Sequence, residues 1–424
     1  MTGDDDTGGV GGLVDHLFRH SAGRIVAVLA RRLGADRLDL AEEVVQDALL
    51  RALQTWPYRG VPDNPQGWLF QVARHHALDR LRREGVLSAK LEALGAEWPR
   101  AADAAGGRGV DDDELAMILM CCHPALPRSA RVALTLKTVG GFGVEEIAAA
   151  FLARPATVAQ RLVRAKRQIR AERWRLEIPP ADALPARLEG VLDVLYLLFN
   201  EGYAAHGGDN LVRADLCSEA IRLARIVAAH PPTDRPSVRA LLALMLLQAS
   251  RLPARADEAG ELLLLAEQDR ARWDQALIAE GLRLLGSAAE GDTVTTYHVE
   301  AAIAACHAVA ADEASTDWPY VLRLYDDLLA LKPSPVVALN RAIALAMVDG
   351  PAAGIRALEE LKRHRALARY HLLPAALGAL WRRAGAPATA ARHYRAALAL
   401  PCSSPERRFL QRHLAECEAT GAPT

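Results

Sequence analysis

Along most of this 424-residue chain the apolar residues recur at intervals of three and four, and Ala, Leu, Arg and Glu dominate. That spacing puts apolar side chains on one face of an α-helix; a half-buried strand needs strict alternation, and no alternating run of Val, Ile, Thr and aromatic residues occurs. The expected fold class is all-α, without strands. A chain of this length is too long for one hydrophobic core, so about three domains are expected.

Breaks in the helical pattern place the boundaries. Residues 13–85 hold several amphipathic segments interrupted from Trp56 to Pro65 (WPYRGVPDNP), where three prolines and a glycine are expected to stop one helix and form a loop. Residues 95–113 (GAEWPRAADAAGGRGVDDD) have no periodicity and read as a flexible connector. Helices are expected to resume near Asp113 and run to Leu176, before IPPADALP places three prolines in eight residues. Residues 185–310 read as helical without an assignable repeat. Further on, Ala344-Leu345 with Gly350 matches Ala379-Leu380 with Gly385 at a period of 35 residues, and Tyr325, Leu329-Ala-Leu331 and Pro333 recur as Tyr394, Leu398-Ala-Leu400 and Pro401. A spacing near 34 with small residues at helix crossings is that of tetratricopeptide-type hairpins, which bury their faces only by stacking. The expected domains are 10–90, a linker at 91–111, a helix-turn-helix domain at 112–178 and a helical-repeat extension at 183–420.

The net charge of −1 hides an asymmetry: residues 114–176 hold 11 Lys/Arg against 4 Asp/Glu, while residues 13–85 hold 11 against 9 and residues 177–424 hold 26 against 30. A uniformly basic coat is excluded, and the basic surplus falls on one short stretch. Within it, LPRSARVALTLKTVGGFGVEEIAAAFLARPATVAQRLVRAKRQIR (126–170) reads as a helix-turn-helix. Val132, Leu134 and Leu136 pack the first helix, a glycine-bearing turn follows, and a short helix starts at Gly143 with Glu146 placed to cap it. Pro155 then opens a second helix, with Val158, Leu162, Ala165 and Ile169 on its inner face and Thr157, Gln160, Arg161 and Arg164 facing outward. An exposed basic helix of this kind suits the major groove.

Six cysteines (Cys121, Cys122, Cys217, Cys306, Cys402, Cys417) are too sparse for a disulfide framework, and the opening MTGDDDTGGVGG has no basic, apolar leader pattern. The expectation is a soluble cytoplasmic protein with no membrane partner. Cys121-Cys122-His123 lacks the spacing of a zinc knuckle and is expected to pack in a core. With no phosphate loop and no nucleophile elbow, no metal, no cofactor and no enzymatic activity are expected.

Two segments carry a resemblance. Residues 126–170 resemble region four of RNA polymerase sigma factors of the extracytoplasmic-function, sigma-70 type, and AEEVVQDALLRALQTW followed by PQGWLFQVARHHALDRLRRE resembles region two. The resemblance covers roughly the first 175 residues, in the family's order. It implies that Thr157, Gln160, Arg161 and Arg164 meet bases and phosphates of the minus-thirty-five element, with Lys166 and Arg167 on the backbone; Ala159-Gln160 stands where a polar pair such as Lys-Ser is common in the family. It implies that Glu42, Glu43, Gln46 and Asp47 face core RNA polymerase, that Tyr58, Arg59 and Asn64 surround a base flipped from the minus-ten element, and that Trp68, Gln71, Arg74, His75, Arg80 and Arg82 hold the duplex edge. Trp68 reads equally as a core residue. Where the extension begins, VLYLLFNEGYAAH holds Asn200, Glu201 and Tyr203, and relatives with long extensions carry a similar segment. It either braces the extension, lines a groove, or is a buried helix end. The expected partners are core RNA polymerase, promoter DNA and a protein or peptide regulator held by the repeats; the alternative is a helix-turn-helix regulator whose repeats sense a ligand.

Overall fold

A computed structural model describes residues 21–84, 108–203, 213–257 and 261–421. Among the described residues the chain is helical without strands, apart from one isolated antiparallel bridge between Ala256 and Leu262. No described helix is long and apolar enough to cross a membrane. The N-terminal segment 1–12, most of the expected linker and Ala204–His206 lie outside the described residues.

The chain divides into two compact units, Met1–Leu197 and Leu198–Thr424. In the first, α1 (residues 21–33) precedes α2 (Leu38–Arg59) and α3 (Pro65–Arg83), which pair as a hairpin. The expected break at Trp56–Pro65 is shorter than the sequence suggested. Helix α2 continues through Pro57 to Arg59, because the proline sits in the last turn, where one missing backbone bond frees only the carbonyl of the exposed Leu53. The loop is Gly60–Asn64, and Asn64 caps α3 by accepting from the Gly67 amide at 2.8 Å. Helices then resume at Arg108 rather than Asp113 with α4 (Arg108–Cys121), followed by α5 (Arg128–Thr138), α6 (Val144–Ala150) and α7 (Pro155–Ala171).

Helix α8 (Leu184–Tyr203) starts in the first unit and ends in the second. Its first turns belong firmly to the first: Arg187 donates to the Leu119 carbonyl at 3.0 Å, and a Cβ on Gly190 would meet the Cys122 carbonyl at 2.7 Å. Cys121 and Cys122 are fully buried here, with the Cys122 thiol 3.6 Å from Thr135 Oγ1 and pushed by burial up to about 12.

The second unit stacks α9 (Ala214–Ala229), α10 (Pro236–Ala249), α11 (Gln275–Ala288), α12 (Thr296–Val309), α13 (Trp318–Leu331), α14 (Pro335–Asp349), α15 (Pro351–Leu361), α16 (Leu372–Arg383), α17 (Pro387–Leu398) and α18 (Ser404–Gly421), each against the next. Prolines open α10, α14, α15 and α17, where the absent N–H costs nothing. Gly350 and Gly385, one sequence period apart, take φ of 86° and 74° at the ends of α14 and α16, a conformation that favours glycine. Residues 185–310 are not helical throughout as expected. Between α10 and α11, the described residues 252–257 and 261–273 form a strap of 3-10 turns and extended chain. Side chains hold it in place of helical bonds: Arg412 donates to the Leu262 carbonyl at 3.4 Å, and buried Gln268 donates to the Leu263 carbonyl at 3.1 Å.

Candidate polymerase and promoter interface

The end of α2, the Gly60–Asn64 loop and the first turns of α3 enclose a cleft of about 690 Å³. Tyr58, Arg59, Trp68 and His75 line it, together with Arg51, Gln54 and His76, which the sequence reading did not single out. For Arg51 a signal was present in the sequence, since Arg51, Thr55 and Tyr58 recur on one helical face. Tyr58 is 89% exposed, a large aromatic held in water beside a cleft. Trp68 is half-buried and packs edge-on against buried Trp56, ring centroids 5.4 Å apart, so it joins the core and forms a wall of the cleft. The Asn64 carbonyl oxygen is committed to its cap, which leaves the amide group of this exposed residue facing outward.

Along α3, Arg74 lies 3.4 Å from Gln71, Arg82 pairs with Asp79 at 2.9 Å, and Arg80 pairs with Glu43 at 2.8 Å. Exposed pairs of this kind are worth about 0–1 kcal/mol, so phosphates can replace the carboxylates at little cost. Glu43, Gln46 and Asp47 are exposed on α2, and Asp47 lies 3.8 Å from His76.

The helix-turn-helix forms as its sequence dictates. The Gly143 amide donates to Glu146 at 2.7 Å at the start of α6, Pro155 opens α7, and Val158, Leu162, Ala165 and Ile169 are buried. Gln160, Arg164 and Arg167 are exposed, while Thr157 and Arg161 are half-buried. None of the three arginines has an ion-pair partner among the described residues.

Lys166 and Glu42 depart from the expectation. Rather than facing DNA and polymerase separately, they face each other across a seam between α2 and α7. The Lys166 ammonium donates to Glu42 at 2.7 Å and to Asp39 at 2.8 Å, Arg170 donates to Asp39 at 2.7 Å, and the Thr138 hydroxyl donates to Glu42 at 2.8 Å. Glu42 is only 8% exposed. Burial alone would lower the Lys166 pKa, but Glu42 and Asp39 outweigh it and hold it above the usual lysine value. Asp39, Thr138 and Arg170 escaped the sequence reading because each pairs with a partner about a hundred residues away.

The seam continues between α1 and α4, where Arg24 pairs with Asp111 at 2.6 Å and Arg31 lies 3.7 Å from Asp113. Burial raises the Asp113 carboxyl from 3.8 to about 6 against the opposing pull of Arg31 and Arg32. Folded Asp113 therefore holds its proton more tightly than unfolded Asp113. Its contribution to stability is full below pH 3.8 and is lost as pH rises through about 6. Replacing it, Asp113→Asn, is expected to flatten the pH dependence of urea unfolding between these values; an unchanged slope would contradict this assignment.

In the second unit, Tyr203 stacks on Phe199 at 5.7 Å and lies under the Arg255 guanidinium at 3.9 Å, and Arg255 also donates to the Tyr203 carbonyl. Asn200 and Glu201 are half-buried beside them.

Comparison with known proteins decides the family. Residues 17–86 match the family model for sigma-70 region 2, and residues 116–169 match that for sigma-70 region 4. The chain belongs to the sigma-70 family, as an extracytoplasmic-function sigma factor. Membership implies binding to core RNA polymerase and promoter DNA in transcription initiation, in a family that performs no chemistry of its own. The extracytoplasmic-function RNA polymerase sigma factor SigE of Mycolicibacterium smegmatis is 30% identical over 158 residues, 37% of this sigma factor and 60% of SigE. An uncharacterized protein of Rhizobium meliloti (strain 1021) is 39% identical over 393 residues, 91% of this chain and 92% of that protein, so the likeness extends through the second unit. Residues 187–289 match a family of unknown function, DUF6596. No solved structure matches the chain.

Proposed function

We propose that this sigma factor directs core RNA polymerase to promoters through two faces that its resting arrangement holds together. The observation that carries the reading is the presence, in one chain and in order, of a region-two hairpin with an aromatic-lined cleft and a region-four helix whose arginines are unpaired. Glu43, Gln46 and Asp47, joined by Glu42 once the seam opens, would meet the polymerase. The cleft around Tyr58 and Arg59, with Asn64 at its loop, would receive an extruded minus-ten base, and Trp68, Gln71, Arg74, His75, Arg80 and Arg82 would hold the neighbouring duplex. Thr157, Gln160, Arg161 and Arg164 would read the minus-thirty-five groove, with Arg167 on phosphate and Lys166 joining it on release. The polymerase makes the phosphodiester bonds and this chain supplies specificity.

Because Lys166 and Glu42 neutralise one another, neither is available while the seam is closed, so opening it is part of engagement. The extension would regulate this step in cis, in response to a protein or peptide regulator. In vitro transcription from the chain's own upstream region, with purified core polymerase, tests the reading. Start-site-specific transcript is expected only with the protein; tight DNA binding that gains nothing from polymerase would instead indicate a ligand-sensing helix-turn-helix regulator. A truncation that removes residues 198–424 and keeps the α8 turns packed in the first unit is expected to change transcript yield several-fold. Equal yield and equal response in cells would remove the regulatory role.

A further inference from the structure

The strap and the stacked helices of the second unit enclose a cleft of about 790 Å³ that no part of the sigma mechanism uses. Leu262, Leu264 and Leu265 of the strap form one wall, and residues of α12 to α14 and α16 to α18 form the other. The four consecutive leucines 262–265 do not close into a helix or fill the space, and Leu264 is 38% exposed. On the opposite wall Ala344, Ala375, Ala376 and Ala379 present small side chains where larger ones would close the gap. A mostly apolar space of this volume lies in the range of small-molecule sites.

The polar groups in the wall indicate what fits. Of the charges at the wall, Glu406 pairs with His371 at 3.3 Å and half-buried Arg382 with exposed Glu416 at 2.7 Å, Arg383 is exposed at the rim, and half-buried Glu313 lies in the field of Arg270. One uncharged group is both buried and unmatched, Nδ1 of His307, and on the same wall the half-buried Asn340 and Tyr325 side chains make no hydrogen bond to the described residues. Burial pushes the Tyr325 hydroxyl up to about 12 and the His307 imidazole down to about 4, so both are neutral at physiological pH. Asn340 and Tyr325 thus offer a donor and acceptor set that a polar group on a ligand can meet, and only His307 Nδ1 carries the cost of burial without a partner.

We infer that this cleft is a binding site for an uncharged, largely apolar small molecule bearing a carbonyl, amide or hydroxyl group that meets Tyr325, Asn340 and His307. The site is roofed by the strap, whose ends are anchored on opposite sides. Arg412 holds Glu261 at 2.9 Å, and Arg270 donates to the carbonyls of His307 and Ala310 at 2.5 and 2.6 Å. Release of these anchors would give entry. The inference does not depend on the sigma reading, since its primary measurement is binding.

Nile red, an uncharged apolar dye carrying a carbonyl, serves as the probe for the full-length protein. Saturable one-to-one binding with a blue-shifted emission is expected, at least tenfold weaker in Ala376→Phe, which fills the cleft, and several-fold weaker in Asn340→Leu, which keeps the apolar volume and removes the amide. Thermal unfolding of both variants establishes that they fold, and a second filler, Ala379→Leu, replaces any that does not. Non-saturable binding, or equal binding by the folded filled variants, would overturn the site. Displacement of the dye by a blocked peptide with the strap's own sequence but by no uncharged small molecule would also overturn it, in favour of a peptide groove.

Discussion

Replacing Gly23 by alanine is expected to open the seam of the first unit and to strengthen binding of core RNA polymerase. A Cβ at residue 23 would sit 1.9 Å from the Val139 carbonyl oxygen, a backbone atom that no rotamer change can move away. Overpacking of this kind costs roughly 1–3 kcal/mol. The cost applies only to the closed arrangement, whereas alanine inside α1 is favoured over glycine by about 1 kcal/mol in any arrangement. At about 1.4 kcal/mol per factor of ten, the ratio of closed to open should fall by roughly fivefold to 150-fold, and the apparent affinity for polymerase should rise by as much as closure had withheld. Small-angle scattering of the free protein and fluorescence anisotropy with core enzyme provide the measurements. Gly286→Ala, at a helical glycine with nothing within 4 Å of the added carbon, is the control for the helix effect alone. Unchanged dimensions and unchanged affinity would mean that closure does not withhold the polymerase face.

The second large effect is expected on α7. Arg161→Ala and Arg164→Ala should each weaken binding to the minus-thirty-five element by about 1–3 kcal/mol, or roughly fivefold to 150-fold, because these guanidiniums have no internal partner and lose only DNA contacts. Lys166→Ala should behave differently. On the proposed reading it would remove a phosphate contact but also release Glu42 and loosen the seam, so in assays with polymerase present its loss should be smaller than that of Arg164→Ala. Promoter binding measured with and without core enzyme separates the two. Equal losses for all three substitutions in both assays would show that Lys166 is an ordinary backbone contact and that the seam has no bearing on engagement.

Much of the architecture was legible because it is local. The Gly143 and Glu146 cap, Pro155 at the first turn of α7 and its buried face of Val158, Leu162, Ala165 and Ile169 depend on residues within a few turns of each other. The same holds for Gly350 and Gly385, whose 35-residue spacing reappears as equivalent helix ends. The structure departs from the local pattern where a local rule meets a distant partner or a tolerant position. Pro57 did not end α2 because only the last turn was affected. Residues 262–264 are not helical, and Arg412 and Gln268 take the carbonyls of Leu262 and Leu263.

The sequence by itself determined the helical class, the two sigma-70 regions, their order and the outward arginines of α7, since periodicity, capping residues and motif spacing act over short stretches of chain. Only the tertiary structure decided that Glu42 and Lys166, 124 residues apart, neutralise each other, that Gly23 must be glycine for two backbones to touch, and that a strap roofs an apolar cleft. Ion pairing, close packing and enclosed volume depend on which surfaces meet, and no local pattern of residues specifies that meeting.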